Sequence, residues 1–164
     1  GMILTIDRQS YTHRKHDSLL FRRLFAPVAP HTTATKGRSC KSCHNNPVAL
    51  GFGKGKLKYI TDMKQGIWHF NPAYENNIHD GLPEDAWIGF LKNRTGMVST
   101  RKNVFPFNVT EQKKILTVGA CLTCHKENSK VIKESLNDFE KVLQHRSPKC
   151  ILPVWPKKSK TNIP

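Results

Sequence analysis

The sequence predicts a mostly α, loop-rich fold. Three observations point there. Apolar residues recur at helical spacing in several short windows, above all toward the C-terminus. Glycine and proline, ten of each, break the chain between those windows. Only 37% of the 164 residues are hydrophobic and mean hydropathy is −0.53, which is lean for a compact core yet not lean enough for disorder. The length suits about one domain, or two small ones.

Residues 1–30 read as an N-terminal arm. Leu20, Phe21, Leu24 and Phe25 follow a helical spacing with Asp17 or Ser18 as N-cap, and Ala26-Pro27-Val28-Ala29-Pro30 ends that helix as an extended linker. Residues 31–118 form the next segment. Its glycine-rich run Gly51–Lys56 lacks the spacing of a phosphate-binding loop and reads as a turn. A strand is expected over Lys56–Thr61, with the rest of 57–80 irregular. Pro83, near the first helical position, and Glu84-Asp85 in the first turn open a short helix that ends near Asn93. Thr110 caps a helix over 111–118. Residues 119–150 form a third segment, in which Ser129 caps a helix over about 130–145 bearing the stripe Ile132, Leu136, Phe139, Leu143. Residues 151–164 are a basic, Pro-containing tail that reads as extended or disordered.

Four of the five cysteines fall in two identical patterns, Cys40-Lys41-Ser42-Cys43-His44 and Cys121-Leu122-Thr123-Cys124-His125. Each reads C-x-x-C-H, the attachment motif for c-type haem. On one helical turn, positions i, i+3 and i+4 share a face. Cys40 with Cys43, and Cys121 with Cys124, can then form thioethers to two haem vinyl groups, while His44 and His125 present an imidazole to the iron as proximal ligands. A four-cysteine zinc site is the competing reading, but it wants its two pairs roughly 15–20 residues apart; here 77 residues separate Cys43 from Cys121, and the histidine after each pair would be coincidence. A thioredoxin-like redox pair needs a βαβ context that neither motif has. Two covalently bound haems c are therefore expected, contributing much of the core and relieving the chain of Leu, Ile and Val.

What fills each iron's sixth position decides between electron transfer and chemistry on a bound substrate. His31, nine residues before Cys40 and after the stiff linker, is the first distal candidate. His13 and His16 come next, then His145 at the end of the last helix. His69 and His79 lie in segments read as irregular, and Met63 and Met97 are the thioether alternatives. Cys150 is unpaired by arithmetic, as a buried small hydrophobe, a reactive thiol or an intermolecular link.

The formal net charge of +15 comes from 27 basic and 12 acidic residues and is spread evenly along the chain. That argues against nucleic acid as a partner and for attraction to an acidic partner such as a redox protein, or to an acidic ligand or surface, with solubility and compensation for a bound anionic group as the competing reading. Apolar runs reach only three or four residues, so no transmembrane segment is expected. No signal peptide is legible in these residues, yet haem c is attached outside the cytoplasmic membrane. The expectation is an exported protein, periplasmic or extracellular, whose precursor carries the signal.

The stretch Pro30-His31-Thr32-Thr33, with Gly37-Arg38-Ser39-Cys40-Lys41-Ser42-Cys43-His44-Asn45-Asn46-Pro47 after it, resembles the haem segments of bacterial multihaem cytochromes c. Gly119-Ala120-Cys121-Leu122-Thr123-Cys124-His125 is similar to terminal haem segments of such proteins. The resemblance implies a small multihaem cytochrome c type of fold and an electron carrier, a subunit or a portion of a larger redox assembly. Its partners would then include other multihaem cytochrome subunits, a hetero-oligomer being one form this takes. The chain carries more protein per motif than closely stacked haem wires do, which favours docking segments. The leading reading is a dihaem c-type cytochrome, with two bis-His low-spin haems, that moves electrons between redox partners. A haem enzyme with one open iron acting on peroxide, nitrite or another small nitrogen or sulfur species is the first alternative, with Arg38 as an acid/base or propionate-contacting group. A haem-bearing assembly subunit of a complex or filament is the second.

Overall fold

A computed structural model describes residues 2–6, 19–25, 35–93, 97–99 and 103–155. It corrects the fold class. Five strands, β1 (Met2–Ile6), β2 (Leu19–Phe25), β3 (Gly55–Thr61), β4 (Gly66–Pro72) and β5 (Met97–Ser99), stand beside four helices, α1 (Cys40–His44), α2 (Val109–Cys124), α3 (Lys130–Asn137) and α4 (Phe139–Gln144). The described chain is a mixture of helix and strand, not mostly α. Only α2, at 16 residues, exceeds about two turns. Among the described residues no helix is long and apolar enough to cross a membrane.

Two of the expected helices do not form. Leu19–Phe25 is the central strand of a three-stranded sheet, antiparallel to β1 and parallel to β5. Its run of apolar residues satisfies both periods, and the deciding contact is distant in sequence. Arg23 is 2% exposed. It forms an ion pair with Asp80 and donates to the carbonyls of Leu82 (3.0 Å), Glu84 (3.0 Å) and Ala86 (2.6 Å). Two of those carbonyls, Glu84 and Ala86, belong to the second lost helix, 83–93, and Leu82 directly precedes it. Its backbone groups are committed elsewhere: Trp87 and Ile88 both donate N–H to the Gly51 carbonyl, at 2.8 and 3.0 Å. The segment is a series of turns that carries Ala86 and Ile88 into the interior.

The expected strand at Lys56–Thr61 is β3, and it pairs antiparallel with β4 in a hairpin that runs from Gly55↔Pro72 to Thr61↔Gly66. Asp62 closes the turn, accepting from the N–H groups of Lys64 (2.8 Å) and Gln65 (2.7 Å). Trp68 and Phe70 point inward and His69 outward, the period-two alternation of a half-buried strand.

A second correction concerns the core. The described interior is built by the chain's own side chains, Leu50, Phe52, Trp68, Ile88, Leu116 and Ala120, and is not organised around porphyrin. Phe52, Phe70 and Phe90 form an aromatic cluster with ring centroids 5.3 to 6.0 Å apart. Gly51 and Gly53 hold positive φ (+86° and +85°), which lets the turn thread Phe52 between them into full burial.

Asn108, not Thr110, caps α2. Its side chain accepts from the Glu111 N–H while the Glu111 carboxylate accepts from the Asn108 N–H, a complete capping box. Gln112 is fully buried and satisfied, accepting from the Leu91 N–H (2.9 Å) and donating to the carbonyls of Lys92 (3.3 Å) and Phe107 (3.0 Å). Ser129 caps α3 as expected, but Asp138 ends that helix and caps α4, dividing the single helix expected over 130–145. Of the apolar stripe, Ile132 is buried and Leu136 is 79% exposed.

Candidate functional site

The two C-x-x-C-H motifs lie in helices that pack on each other. Ser39 caps α1, its hydroxyl accepting from the Ser42 N–H at 3.1 Å, so Cys40, Cys43 and His44 occupy one helical turn. Cys121 and Cys124 occupy the last turn of α2. His125 follows as its C-cap, in extended backbone, with its N–H donated to the Cys121 carbonyl at 2.9 Å.

Two contacts bring the helices together, and a third docks the hairpin on α2. The Asn45 side-chain amide donates to the Gly119 carbonyl at 3.2 Å. His44 Nδ1 lies 3.0 Å from the Ile115 carbonyl. Trp68 Nε1 donates to the Leu116 carbonyl at 3.0 Å, holding the hairpin against the same helix. Gly119 makes the approach possible, because a Cβ there would lie 2.5 Å from Asn45 Oδ1 and 3.2 Å from the His44 carbonyl and the Trp68 ring. Beyond α2, Glu127 reaches back to α1 and accepts from the Lys41 N–H at 3.0 Å. That bond, with the Ser39 hydroxyl, the Cys40 N–H and the Lys41 charge, outweighs the little burial it has and holds the Glu127 carboxyl below its ordinary range.

A carbonyl only accepts, so the His44–Ile115 bond fixes the proton on Nδ1 and leaves the lone pair on Nε2. Metal-bound imidazoles are oriented in this way, by a carbonyl on the second nitrogen. Cys121, Cys124 and His125 line a cavity of about 340 Å³ together with Tyr59, Cys150 and Leu152. Burial pushes the Cys121 thiol up, with the Cys150 and Cys124 thiols adding to it. Burial also pushes the Tyr59 hydroxyl up to about 12, again with Cys150, Cys121 and Cys124 adding. That hydroxyl donates to the Ile151 carbonyl at 2.8 Å and ties the Cys150 segment over the second motif.

These residues fit covalent haem. Each motif offers two thiols on one helical turn, with a histidine next in sequence; the first histidine is set in the tautomer that ligates through Nε2, and the second motif faces a cavity. The four motif cysteines do not gather into a zinc site: among the described residues no group of three or more His, Cys, Asp or Glu is placed to hold a metal ion. A larger recess of about 670 Å³ beside α1 is lined by Lys41, Ser42, Asn45 and Asn46 rather than by the motif's cysteines and histidine.

The distal candidates fare differently. His13, His16 and His31 lie outside the described residues. His145 is exposed at the C-cap of α4, its Nδ1 donating to the Lys141 carbonyl at 2.8 Å. It borders a cavity lined by α3 and α4 with Glu134 and Asp138, separate from the cavity of the second motif. His69 is exposed on β4, His79 is exposed in the turn before Pro83, and Met63 is 95% exposed in the hairpin turn. Met97 lies in β5, and Arg38 is exposed just before α1. Cys150 is half-buried in the cavity of the second motif. The Ile115 carbonyl and Glu127 had no signal in the sequence, since each acts on a residue more than 70 positions away.

No protein-family model, no curated protein and no solved structure matches this chain, so the site's own chemistry carries the functional reading.

Proposed function

We propose that the chain is a dihaem c-type cytochrome that passes electrons between redox partners. One haem would attach to Cys40 and Cys43 with His44 as proximal ligand, and one to Cys121 and Cys124 with His125. The observation that carries this is the juxtaposition of two C-x-x-C-H helices, one of whose histidines already has its Nδ1 proton engaged by a carbonyl. Bound haem supplies an iron that takes up and releases one electron at a time. The chain's part is to fix the imidazole through Ile115, to hold the two motifs together through Asn45, Gly119 and Glu127, and to keep water from one side of Cys121. Bis-His ligation draws its distal imidazoles from His13, His16, His31 or His145. Attachment requires an exported chain, and an acidic redox protein or another multihaem subunit is the expected partner.

The test is the optical spectrum of the reduced, exported protein before and after carbon monoxide. The expected result is c-type bands equivalent to two haems per chain, unchanged by carbon monoxide because protein ligands close both irons. Cys40→Ala/Cys43→Ala and Cys121→Ala/Cys124→Ala should each remove one haem. A chain that leaves the haem-attachment machinery without covalent haem overturns the proposal. A carbon monoxide shift on half or more of the haem moves an enzyme reading to first place.

A further inference from the structure

The outward face of the β3–β4 hairpin carries an arrangement the electron-transfer reading does not use. Alternation sends Tyr59, Trp68 and Phe70 inward and leaves Lys56, Lys58 and Ile60 on β3 facing out beside Asn71, His69 and Ile67 on β4, in that register. Ile60 is 53% and Ile67 41% exposed, and the two are direct cross-strand partners. The chain returns alongside: Val154 donates N–H to the Gly66 carbonyl at 2.8 Å and is 47% exposed. Three apolar side chains thus lie at one end of the sheet, with Lys58, His69 and Lys56 on the same face toward the other end.

Among the described residues no carboxylate occupies this face. Asp62 in the adjoining turn spends its side chain on the Lys64 and Gln65 N–H groups. Lys56 and Lys58 are exposed and have no ion-pair partner among the described residues. An apolar centre beside unpaired charge of one sign is how protein docking surfaces are built, with burial supplying affinity and charge supplying steering. The inner side of the same strand contributes Tyr59 to the cavity that holds Cys121, Cys124 and His125. Only the thickness of one hairpin separates the outer face from the second motif.

We propose that this face docks an acidic protein, one presenting carboxylates around a small apolar spot, and that it does so over the second motif. The proposal rests on the electron-transfer reading only in naming that protein a redox partner. The charge on the face chooses the partner's sign, and the isoleucine pair with Val154 favours a protein over a polyanion that offers charge alone.

The haem-loaded chain can be mixed with an octapeptide of six glutamates around a Phe-Leu centre and treated with a carbodiimide. This reagent joins a lysine Nζ to a glutamate carboxyl as an amide and carries away the water. Mass spectrometry should find the amides at Lys56 and Lys58 well ahead of Lys126 and Lys133, which are exposed too. Labelling spread over all exposed lysines overturns the proposal. Lys56→Gln/Lys58→Gln, which alters only exposed positions, should weaken binding of the fluorescent peptide roughly tenfold. Ile60→Ser/Ile67→Ser should weaken it with the far-UV spectrum unchanged, and unaltered affinity in either variant overturns the proposal. So does tighter binding to this face by a DNA duplex or by phosphatidylglycerol vesicles. The haem bands of the same sample keep the two readings apart, since hairpin labelling without covalent haem removes the redox role and leaves the docking surface standing.

Discussion

At the scale of single residues, Arg23 decides more of the structure than its charge suggests. It lies in β2, 2% exposed, and its guanidinium serves Asp80 and three backbone carbonyls. Removing one partner of such a network leaves the others desolvated and unpaired. Arg23→Met keeps most of the stem's volume and loses the donors, and should cost about 3 kcal/mol in urea unfolding. The same network has a pH signature. Burial pushes the Asp80 carboxyl up, but the Arg23 hydrogen bonds, the Leu82 N–H and the neighbouring positive charges outweigh it and leave it below its ordinary value. A carboxylate depressed in the folded state contributes stability above its unfolded pKa, about 3.9, and loses it as pH falls through the lower folded value. Unfolding midpoints measured from pH ~5 down to ~2 should therefore drop more steeply in the parent than in Arg23→Met. Parallel curves would mean that the pair does not stabilise the fold.

At the scale of elements, what was legible in the sequence depended on how local the deciding contact is. The helical turn of the first motif, the cap on α3 and the strand β3 follow from short-range chemistry: the C-x-x-C-H spacing suits one turn, Ser129 has an N–H three residues on to accept from, and Lys56–Thr61 alternates. The β2 strand and the 83–93 turns were not legible, because Leu19–Phe25 satisfies a helical period and Pro83-Glu84-Asp85 satisfies the rules for a helix start. Each is overruled by Arg23, whose partners lie 57 to 63 positions away. The motif cysteines and histidines were visible from spacing alone, whereas their pairing in space was not. Gly119 shows why. It reads as a break before the second motif, yet α2 runs straight through it, and its missing Cβ is what admits Asn45, the His44 backbone and Trp68. Gly119→Ala should raise local helix propensity and still destabilise, by about 1–3 kcal/mol, because the tight contact involves backbone as well as side chain. Thermal unfolding measures that cost. On the dihaem reading, the heme-to-protein ratio of the exported variant should fall too, since the helices that bear the two motifs no longer seat. A variant at least as stable as the parent would show that the helices have room to spare.

At the scale of the whole molecule, the charge sets the kinetics of any redox encounter. A chain of +15 attracts anions over a distance fixed by the ionic strength, about 30 Å at 0.01 M salt and about 8 Å at 0.15 M. That net charge already counts the acids as ionised, and the structure keeps three of them so: Asp80 is paired with Arg23, and both Asp62 and Glu127 hold their charge by accepting backbone N–H groups. Two small oxidants of opposite charge separate this field from other effects of salt. On the dihaem reading, ferricyanide, an anion, should oxidise the reduced protein fastest at low salt, and its rate should fall by about tenfold or more between 0.01 and 0.5 M. A cationic ruthenium ammine should show the opposite slope, because salt screens a repulsion instead of an attraction. Opposite slopes mean that the positive field reaches the site of electron exchange. Slopes of the same sign for both oxidants would place that exchange out of reach of the field, and an acidic partner would then gain nothing in encounter rate from the basic surface.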